Sequence, residues 1–365
     1  GEGTLTIYCS EIKGDGWFAT RTQLAMDFRE FQGTIKATGR SDDSGARWTL
    51  NTANGIPNGT LEIAAGLEVQ NTGKTFAIGK LAGTGKLGGY ASFSNSGGSG
   101  TNTWQVGNDA NWTWGGTVTA NSILTKVGSG TATFSGKSTH TGATRVNAGT
   151  LCVKAGATLG TGALTVARGA TLSGATGTTP LTNASYSFST GSTLQVGATA
   201  TAITGYMDFG GKNVTISSGA VLDLGLSRAA VTNASGVVTN TGGTSIQNIN
   251  RLTMNGTIRL HYGSSFASNV QVGDSVLLWK DVTTCTGTPV LETQVIDAEN
   301  GLFWDTKDIQ QGILRVTDIA PVGIRGVATD ETGKAVIYTL DGRRVTETRR
   351  GQTYIINGRK VFVKI

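Results

Sequence analysis

The chain has 365 residues, a net charge of +6, 55 glycines and only 15% charged residues. With four prolines and no stretch near 18 consecutive apolar residues, the composition excludes a collagen-like chain and a membrane-spanning helix, so no membrane insertion is expected. Residues 318–365 carry +4 of the net charge, and the nearly neutral remainder has no long basic stripe for a nucleic-acid backbone. No nucleic-acid partner is predicted.

The chain opens on GEGTLTI, which is already a strand-like pattern of Gly, Thr and aliphatic residues. We interpret it as a fragment of a longer protein, whose upstream domain is then its partner within the same parent chain. Cys9, Cys152 and Cys285 are odd in number and far apart, so they predict neither a disulfide framework nor a metal knuckle. We interpret all three as small core side chains.

The segment RSDDSGAR (40–47) is the first candidate for site chemistry. It offers Arg40, Asp42, Asp43 and Arg47, and carboxylates beside a basic group suit calcium binding or acid–base catalysis. Adjacent acids in a Ser/Gly-rich run more often cap the backbone of an exposed turn. Other acids stand singly, although the stacking of distant segments could unite them: Asp223, Asp274, Asp281 and Asp305.

The segment TWQVGNDANWTWGG (103–116) is the strongest binding candidate. Trp104, Trp112 and Trp114 surround a polar turn with Asn108 and Asp109. Tryptophan faces stack on sugar rings, and the polar side chains would bind hydroxyls, so the segment predicts a contact with a polysaccharide or host surface glycan. The alternative is that the rings fill a wide protein interior or cover a corner.

A repeated template organises the middle of the chain: hydrophobic, any, hydrophobic, two of any, Gly, two of any, hydrophobic. Alternation on both sides of the glycine predicts two short half-buried strands that meet at a corner, where glycine permits positive φ. Five segments fit the template: LEIAAGLEV (61–69), LCVKAGATL (151–159), LTVARGATL (164–172), YSFSTGSTL (186–194) and VTISSGAVL (214–222).

The spacing of the copies predicts a β-solenoid. Copies start at positions 151, 164, 186 and 214, and the widening intervals between them match one coil or part of one, with loops of varying size. A single coil buries too few side chains to fold alone, whereas stacked coils share hydrogen bonds and bury each other's inward side chains. An all-β sandwich also has short strands and Gly-rich turns, but it does not need this recurring register.

The segment LTKVGSGTATFSGKSTHTGATRVNAGTLCV (124–153) resembles the autotransporter-associated β-strand repeat. His140 departs from it, since the family usually shows Tyr there. The earlier segments GEGTLTIYCSE, FQGTIKATG, GIPNGTLEIAAG and AIGKLAGTGKLGG are similar to the region that precedes such repeats in surface β-helical proteins of Bacteroidetes, some with polysaccharide lyase-like parts. The matching positions are Gly128, Gly130, Thr131, Gly136, Thr141, Gly142, Thr144, Val146, Asn147, Ala148, Gly149, Thr150 and Leu151.

This resemblance implies a right-handed parallel β-helix on a secreted or cell-surface protein, acting as stalk, adhesin or accessory module. Residues 1–317 are assigned to the β-helix and 318–365 to a small C-terminal β-domain. In that domain Asp341-Gly342 and Asn357-Gly358 each separate alternating strands, which predicts two hairpins. The domain is similar to C-terminal sorting domains of secreted Bacteroidetes proteins; the alternative is a basic cap on the last coil.

No catalytic residue, metal or cofactor is predicted. His140 and His261 lack a nucleophile or metal-ligand partner at useful spacing, and no hydrolase, zinc-protease or nucleotide-binding motif is present. The expected function is a non-enzymatic exported β-solenoid module that acts as stalk or adhesin, with glycan contact. The alternative is part of a polysaccharide lyase or glycoside hydrolase that acts on acidic plant or host glycans.

Overall fold

The fold was described from a computed structural model of the chain. The described residues are 1–9, 22–24, 27–39, 47–50, 55–71, 73–89, 102–119, 121–197, 199–227, 242–264, 266–320, 337–339, 343–345, 347–356 and 359–362. Within them, no helix is long and apolar enough to span a membrane.

Two long parallel sheets form most of the molecule. Every neighbouring pair within them is parallel, which excludes the sandwich alternative and confirms the predicted parallel β-helix with a small C-terminal antiparallel sheet. Sheet 1 has twelve strands: Thr4–Cys9, Thr34–Gly39, Ile56–Ile63, Thr75–Gly83, Asn102–Val106, Ser122–Lys126, Thr144–Val146, Leu164–Val166, Ser185–Phe188, Gly205–Ile216, Thr244–Met254 and Trp279–Thr286. Sheet 2 has eight: Trp112–Trp114, Thr131–Phe134, Thr150–Val153, Thr171–Gly174, Thr193–Val196, Val221–Leu226, Thr257–Tyr262 and Val290–Leu291.

A third parallel face covers the N-terminal and central coils. Its strands, called sheet 3, are Thr22–Leu24, Arg47–Leu50, Glu68–Asn71, Lys86–Gly89 and Thr117–Val118. The pair Lys137–Ser138 and Thr158–Leu159 forms a two-stranded parallel sheet in the following coils.

Inward side chains of successive coils lie in register. In sheet 2, Leu151 pairs with Leu172, which pairs in turn with Leu194 and then Leu222. All four are fully buried. The predicted stacking of like side chains is therefore confirmed: each coil adds one more aliphatic residue to a continuous column and shields its neighbours from water.

The template glycines form the corners of the solenoid. Gly66, Gly156, Gly169, Gly191 and Gly219 all have φ between +77° and +85°, a region that side chains with a Cβ rarely adopt. Strands end before each of these glycines and begin again after it, as the template predicts. The copies at 151 and 164 are successive corners, since the first leaves sheet 2 and the second leaves sheet 1.

From Leu124 to Val214 the coils become longer while the register is kept. Leu124, Thr144 and Leu164 are successive partners in the ladder and are evenly spaced along the chain. The next partners, Tyr186 and Val214, follow at progressively wider intervals. The additional residues lie between strands, because only the strands must return to the same position.

Two antiparallel sheets follow near the end of the solenoid. One four-stranded sheet consists of Ser275–Leu277, Ile313–Thr317, Leu302–Asp305 and Val295–Asp297, with the helix Phe266–Asn269 and the 3-10 turn Ile309–Gln311 nearby in sequence. A second consists of Arg344–Val345, Ile337–Thr339, Thr353–Ile356 and Arg359–Phe362. The strands flanking both predicted hairpin turns pair antiparallel, although the turn dipeptides lie outside the described residues. The boundary at residue 318 remains a prediction.

The cysteines differ in their environments. Cys152 is buried, whereas Cys285 is half-buried on the last strand of sheet 1. The side chain of Cys9 lies outside the described residues. The predicted core role therefore holds for Cys152 and only in part for Cys285.

Shortening one side chain in the aliphatic column should destabilise the whole stack. We expect Leu194→Ala to lower the free energy of unfolding by about 2–5 kcal/mol, since it removes packing with both neighbouring coils. Its neighbour Thr193 is half-buried, so Thr193→Ala should change it by less than about 1 kcal/mol. Urea denaturation of both variants measures the difference, and equal effects would contradict the inward assignment.

Candidate functional site

The three predicted sugar-stacking tryptophans lie in the interior. Trp104 and Trp114 are fully buried, and Trp112 is 9% exposed. Trp104 packs edge-on against Phe76 with ring centroids 5.8 Å apart, and Trp112 and Trp114 both pack against Phe134. The prediction of glycan stacking is corrected by this burial: the rings fill the solenoid, and their faces are not offered to a sugar.

The polar side chains in the turn between these tryptophans form hydrogen bonds with neighbouring residues of the chain. Oδ1 of Asn108 accepts a hydrogen bond from the backbone N–H of Ala110. Oδ1 of Asp109 accepts hydrogen bonds from the hydroxyl (2.7 Å) and backbone N–H of Ser129, in the next coil. These bonds lower the pKa of Asp109. Both predicted glycan ligands thus serve the local fold, and Asp109 ties one coil to the next.

Stacking assembles a charged cluster on sheet 2 that the linear sequence does not show. Asp223 and Arg259 are direct ladder partners in adjacent coils. Nε2 of His261 lies 2.7 Å from Oδ1 of Asp223, and Nη1 of Arg259 lies 3.9 Å from Oδ2 of the same carboxylate. Arg259 also donates hydrogen bonds through Nε and Nη2 to both oxygens of Glu292, 2.9–3.1 Å away. We call these four residues the sheet 2 charge cluster.

Burial sets the electrostatics of this cluster. The Asp223 side chain is only 7% exposed, and this desolvation raises its pKa, while His261 and Arg259 act in the opposite direction. The exposed Glu292 responds differently, because its hydrogen bonds to Arg259 lower its pKa. The guanidinium is thus shared between two carboxylates from coils on either side of it. This arrangement can link three coils, and it also places two acids and a histidine on one face.

The other sequence candidates do not join this cluster. Of RSDDSGAR, residues 40–46 lie outside the described residues, and only the backbone of Arg47 is described, at the start of Arg47–Leu50. Among the residues that the structure describes, no group of three His, Cys, Asp or Glu side chains could hold a metal ion. Asp274, Asp281 and Asp305 belong to separate segments of the C-terminal part.

The template carries a sequence signal for only one member of the cluster, Asp223. Gln195 and Asp223 each directly follow the last hydrophobic position of their copies, and they are ladder partners. Arg259 occupies the same outward position one coil later. Arg259 and His261 lie outside the five copies of the template, so aligning the copies does not place either residue beside Asp223.

Lys126 interrupts an aliphatic column of sheet 1. It lies in register between Val106 and Val146 and is fully buried. Its ammonium group donates hydrogen bonds to the carbonyl oxygens of Val127, Gly128 and Ala148 at 2.7–3.1 Å. Burial lowers the pKa of Lys126 to about 8, although these three acceptors favour the charged form. The buried ammonium group therefore links the turn at Val127 and Gly128 to Ala148 in the next coil.

His140 is a buried histidine in the interior of the solenoid. The hydroxyl of Thr144 donates its hydrogen to the carbonyl of Leu159, so Nε2 of His140 must donate to that hydroxyl at 2.8 Å. Nδ1 makes no hydrogen bond within the described part of the chain. Burial lowers the pKa of His140 to about 4, which keeps the ring neutral at pH 7.

Comparison with known proteins supports the resemblance over a short region. Residues 124–153 match the family model of the passenger-associated transport repeat. This segment holds both Lys126 and His140. No curated protein matches the chain. The chain therefore carries an autotransporter-associated repeat within a parallel β-helix.

The buried His140 should make the fold sensitive to acid. Between pH 6.5 and 4 the unfolded chain binds a proton at this ring and the folded chain does not, so stability falls as the pH falls. His140→Gln keeps a donor for Thr144 without titrating. By pH 4.5 we expect the wild type to lose roughly 2–3 kcal/mol more than this variant, relative to pH 7.

Urea titrations at pH 7, 5.5 and 4.5 measure this difference. The carboxylates titrate in both proteins, so their contribution cancels in the comparison. Parallel loss of stability in the two proteins would contradict a buried neutral His140.

Proposed function

We propose that the chain is a non-enzymatic, exported β-solenoid module of a larger bacterial surface protein, where it acts as a stalk that holds or presents a neighbouring domain. The observation that carries this proposal is the unbroken run of parallel pairings through the twelve strands of sheet 1. The passenger-associated repeat at residues 124–153 supports secretion to the cell surface. A Bacteroidetes origin and a sorting role for the C-terminal sheet are further parts of the proposal.

The construction of the solenoid suits a mechanical role. Each coil is bound to the next by backbone hydrogen bonds along two or three faces and by inward columns of buried side chains. Polar links between coils, such as Asp109 to Ser129, add to this continuity. Because the coils repeat the same backbone pairing, the solenoid can become longer by adding coils to the existing core.

Glycan adhesion is not assigned to the tryptophan segment. Trp104, Trp112 and Trp114 are buried, and Asn108 and Asp109 bind neighbouring backbone or hydroxyl groups. The proposal therefore gives the module a supporting role, and it places recognition of a host or polysaccharide surface in other parts of the parent protein.

The second candidate function is catalysis on acidic glycans, and the sheet 2 charge cluster favours it. Asp223 and Glu292 are brought together from different coils, as an enzyme on a β-helix requires, with Arg259 and His261 beside them. Against catalysis, Arg259 already has both carboxylates as partners, so it has less charge to offer a substrate.

Adding coils should lengthen the stalk without unfolding it. Residues 144–163 form one whole coil, since Thr144 and Leu164 are ladder partners. Inserting three further copies of 144–163 after residue 163 should extend the particle by about 15 Å, because each strand layer adds about 4.8 Å. Small-angle scattering measures the length, and circular dichroism the β content.

The control insertion has three copies of 144–153, which is not a whole coil and should break the register. In the parent protein on intact cells, the longer module should make a tag on the presented domain more accessible to antibody than in wild type. Equal lengths for both insertions, or an insertion of whole coils that unfolds the chain, would contradict the stalk.

An enzyme assay separates the two functions. The stalk proposal predicts no new unsaturated ends and no new reducing ends when the chain is incubated with pectin, alginate or glycosaminoglycans, with and without calcium. If either product forms and is lost in Asp223→Asn, catalysis replaces the stalk as the assigned function. Gln195→Ala, at the equivalent outward position one coil earlier, is the matched control.

A further inference from the structure

Within the part of the chain that the structure describes, the last strand of sheet 1 has one edge that pairs with no other strand. Trp279–Thr286 pairs in parallel with Thr244–Met254 on one side and is the terminal strand of its sheet. Five of its eight residues are exposed, and Val282 and Cys285 are half-buried. At about 3.3 Å per residue, the strand offers an edge roughly 26 Å long. Such an edge is a template for pairing with another strand.

The edge is bordered by a groove with a second wall. The 3-10 turn Ile309–Gln311 lies along the strand and encloses with it a cavity of about 420 Å³. The turn and the next residue, Gly312, bind the two residues that flank the strand. The N–H of Leu278 donates to the carbonyl of Gly312, and Nε2 of Gln310 donates to the carbonyl of Gly287, each at 2.7 Å. The middle of the edge faces the cavity.

We propose that this groove binds an extended segment of a partner polypeptide, which adds a thirteenth parallel strand to sheet 1. The groove is a direct continuation of an interface that the chain already uses eleven times between its own coils. The primary amide of Gln310 makes at Gly287 the kind of hydrogen bond that an incoming peptide N–H would make. This docking role is additional to the stalk role and does not depend on it.

The register of the preceding coils specifies the chemistry of the partner segment. Asp281 has φ +55°, and Asn248 in the preceding coil has φ +56° between the same ladder pairs. One coil earlier, Gly210 and Gly211 have φ +61° and +72° within the matching bulge. The bulge thus belongs to the geometry of these coils and is not a device that protects the edge. An added strand should carry Gly, Asn or Asp at this position, between alternating aliphatic or β-branched residues.

Charge at the bulge restricts which side chain the partner strand can carry there. Within the described part of the chain, the exposed Asp281 carboxylate makes no hydrogen bond or ion pair. In the preceding coils, Asp208 accepts hydrogen bonds from the side-chain amides of Gln247 and Asn248. An amide side chain at the left-handed position of the partner strand would extend this polar stack. Asn therefore suits the position better than Gly, and better than Asp, whose charge would repel that of Asp281.

A peptide copied from the chain itself is the probe. The sequence TSIQNINRLTM (244–254) already has Asn248 at the bulge and pairs with the same strand from its other side. Fluorescence anisotropy of the labelled peptide with the full chain should show saturable binding. Replacing the Asn that corresponds to position 248 with Val should weaken binding about tenfold, since a β-branched residue resists positive φ.

Backbone pairing is tested by two peptides methylated on alternate backbone nitrogens. Only one of the two sets has its N–H groups directed at the edge, so one should abolish binding and the other should retain it. Gln310→Ala frees the carbonyl of Gly287 and should tighten binding several-fold. Gln271→Ala, an exposed position outside the groove, is its control and should leave binding unchanged.

Three results would overturn the proposal. The first is the lack of saturable binding up to about 1 mM peptide with both the wild type and Gln310→Ala. The second is equal binding of the two methylated sets, which would show that side chains alone are recognised. The third is a chain that dimerises through this edge, with the peptide dissociating the dimer, because the occupant would then be a second copy. None of these results bears on the length test for the stalk.

Discussion

The parallel backbone ladder between coils is the constraint on which the rest of the structure depends. A strand bonded in parallel to its neighbours must bring each side chain back to the same face and the same height. This requirement acts on the strands and leaves the connections free. Short coils in the centre and longer coils further on can therefore share a single column, as the pairs from Leu124 to Val214 show.

Polar residues within the column are tolerated where main-chain groups satisfy them. Lys126 replaces an aliphatic residue between Val106 and Val146, yet its ammonium group binds three carbonyl oxygens at the corner. Thr144 occupies an inward position as well and connects His140 to the carbonyl of Leu159. Both exceptions lie in the segment that matches the transport repeat. The hydrogen bonds of these side chains hold the backbone at the corners, which aliphatic side chains could not do. They require that titratable groups be buried.

The sequence predicted the features that repeat and missed those that depend on which coils become neighbours. Glycines such as Gly169 and Gly191 identified corners because positive φ selects glycine locally. Trp112 and Trp114 are two residues apart, so they lie on the same face of a strand. This spacing alone does not distinguish an inner face from an outer one. The contact of His261 with Asp223 joins two different coils, and it could not be predicted before the length of the intervening coil was known.

A parallel ladder can accept a further strand at either end. The backbone groups at the ends of a solenoid can therefore bind another chain, whereas those along its sides are already paired. Along the sides, outward polar groups are paired with neighbouring coils, as Arg259 is with Asp223 and Glu292. At Trp279–Thr286 no partner strand follows among the described residues, and the amide of Gln310 binds Gly287 just beyond one end of the edge. If the module serves as a stalk, selection for rigidity acts equally on every coil, whereas selection for a partner can act on the terminal coil alone. Specific recognition by this module is therefore more readily built at its edge than on its repetitive faces.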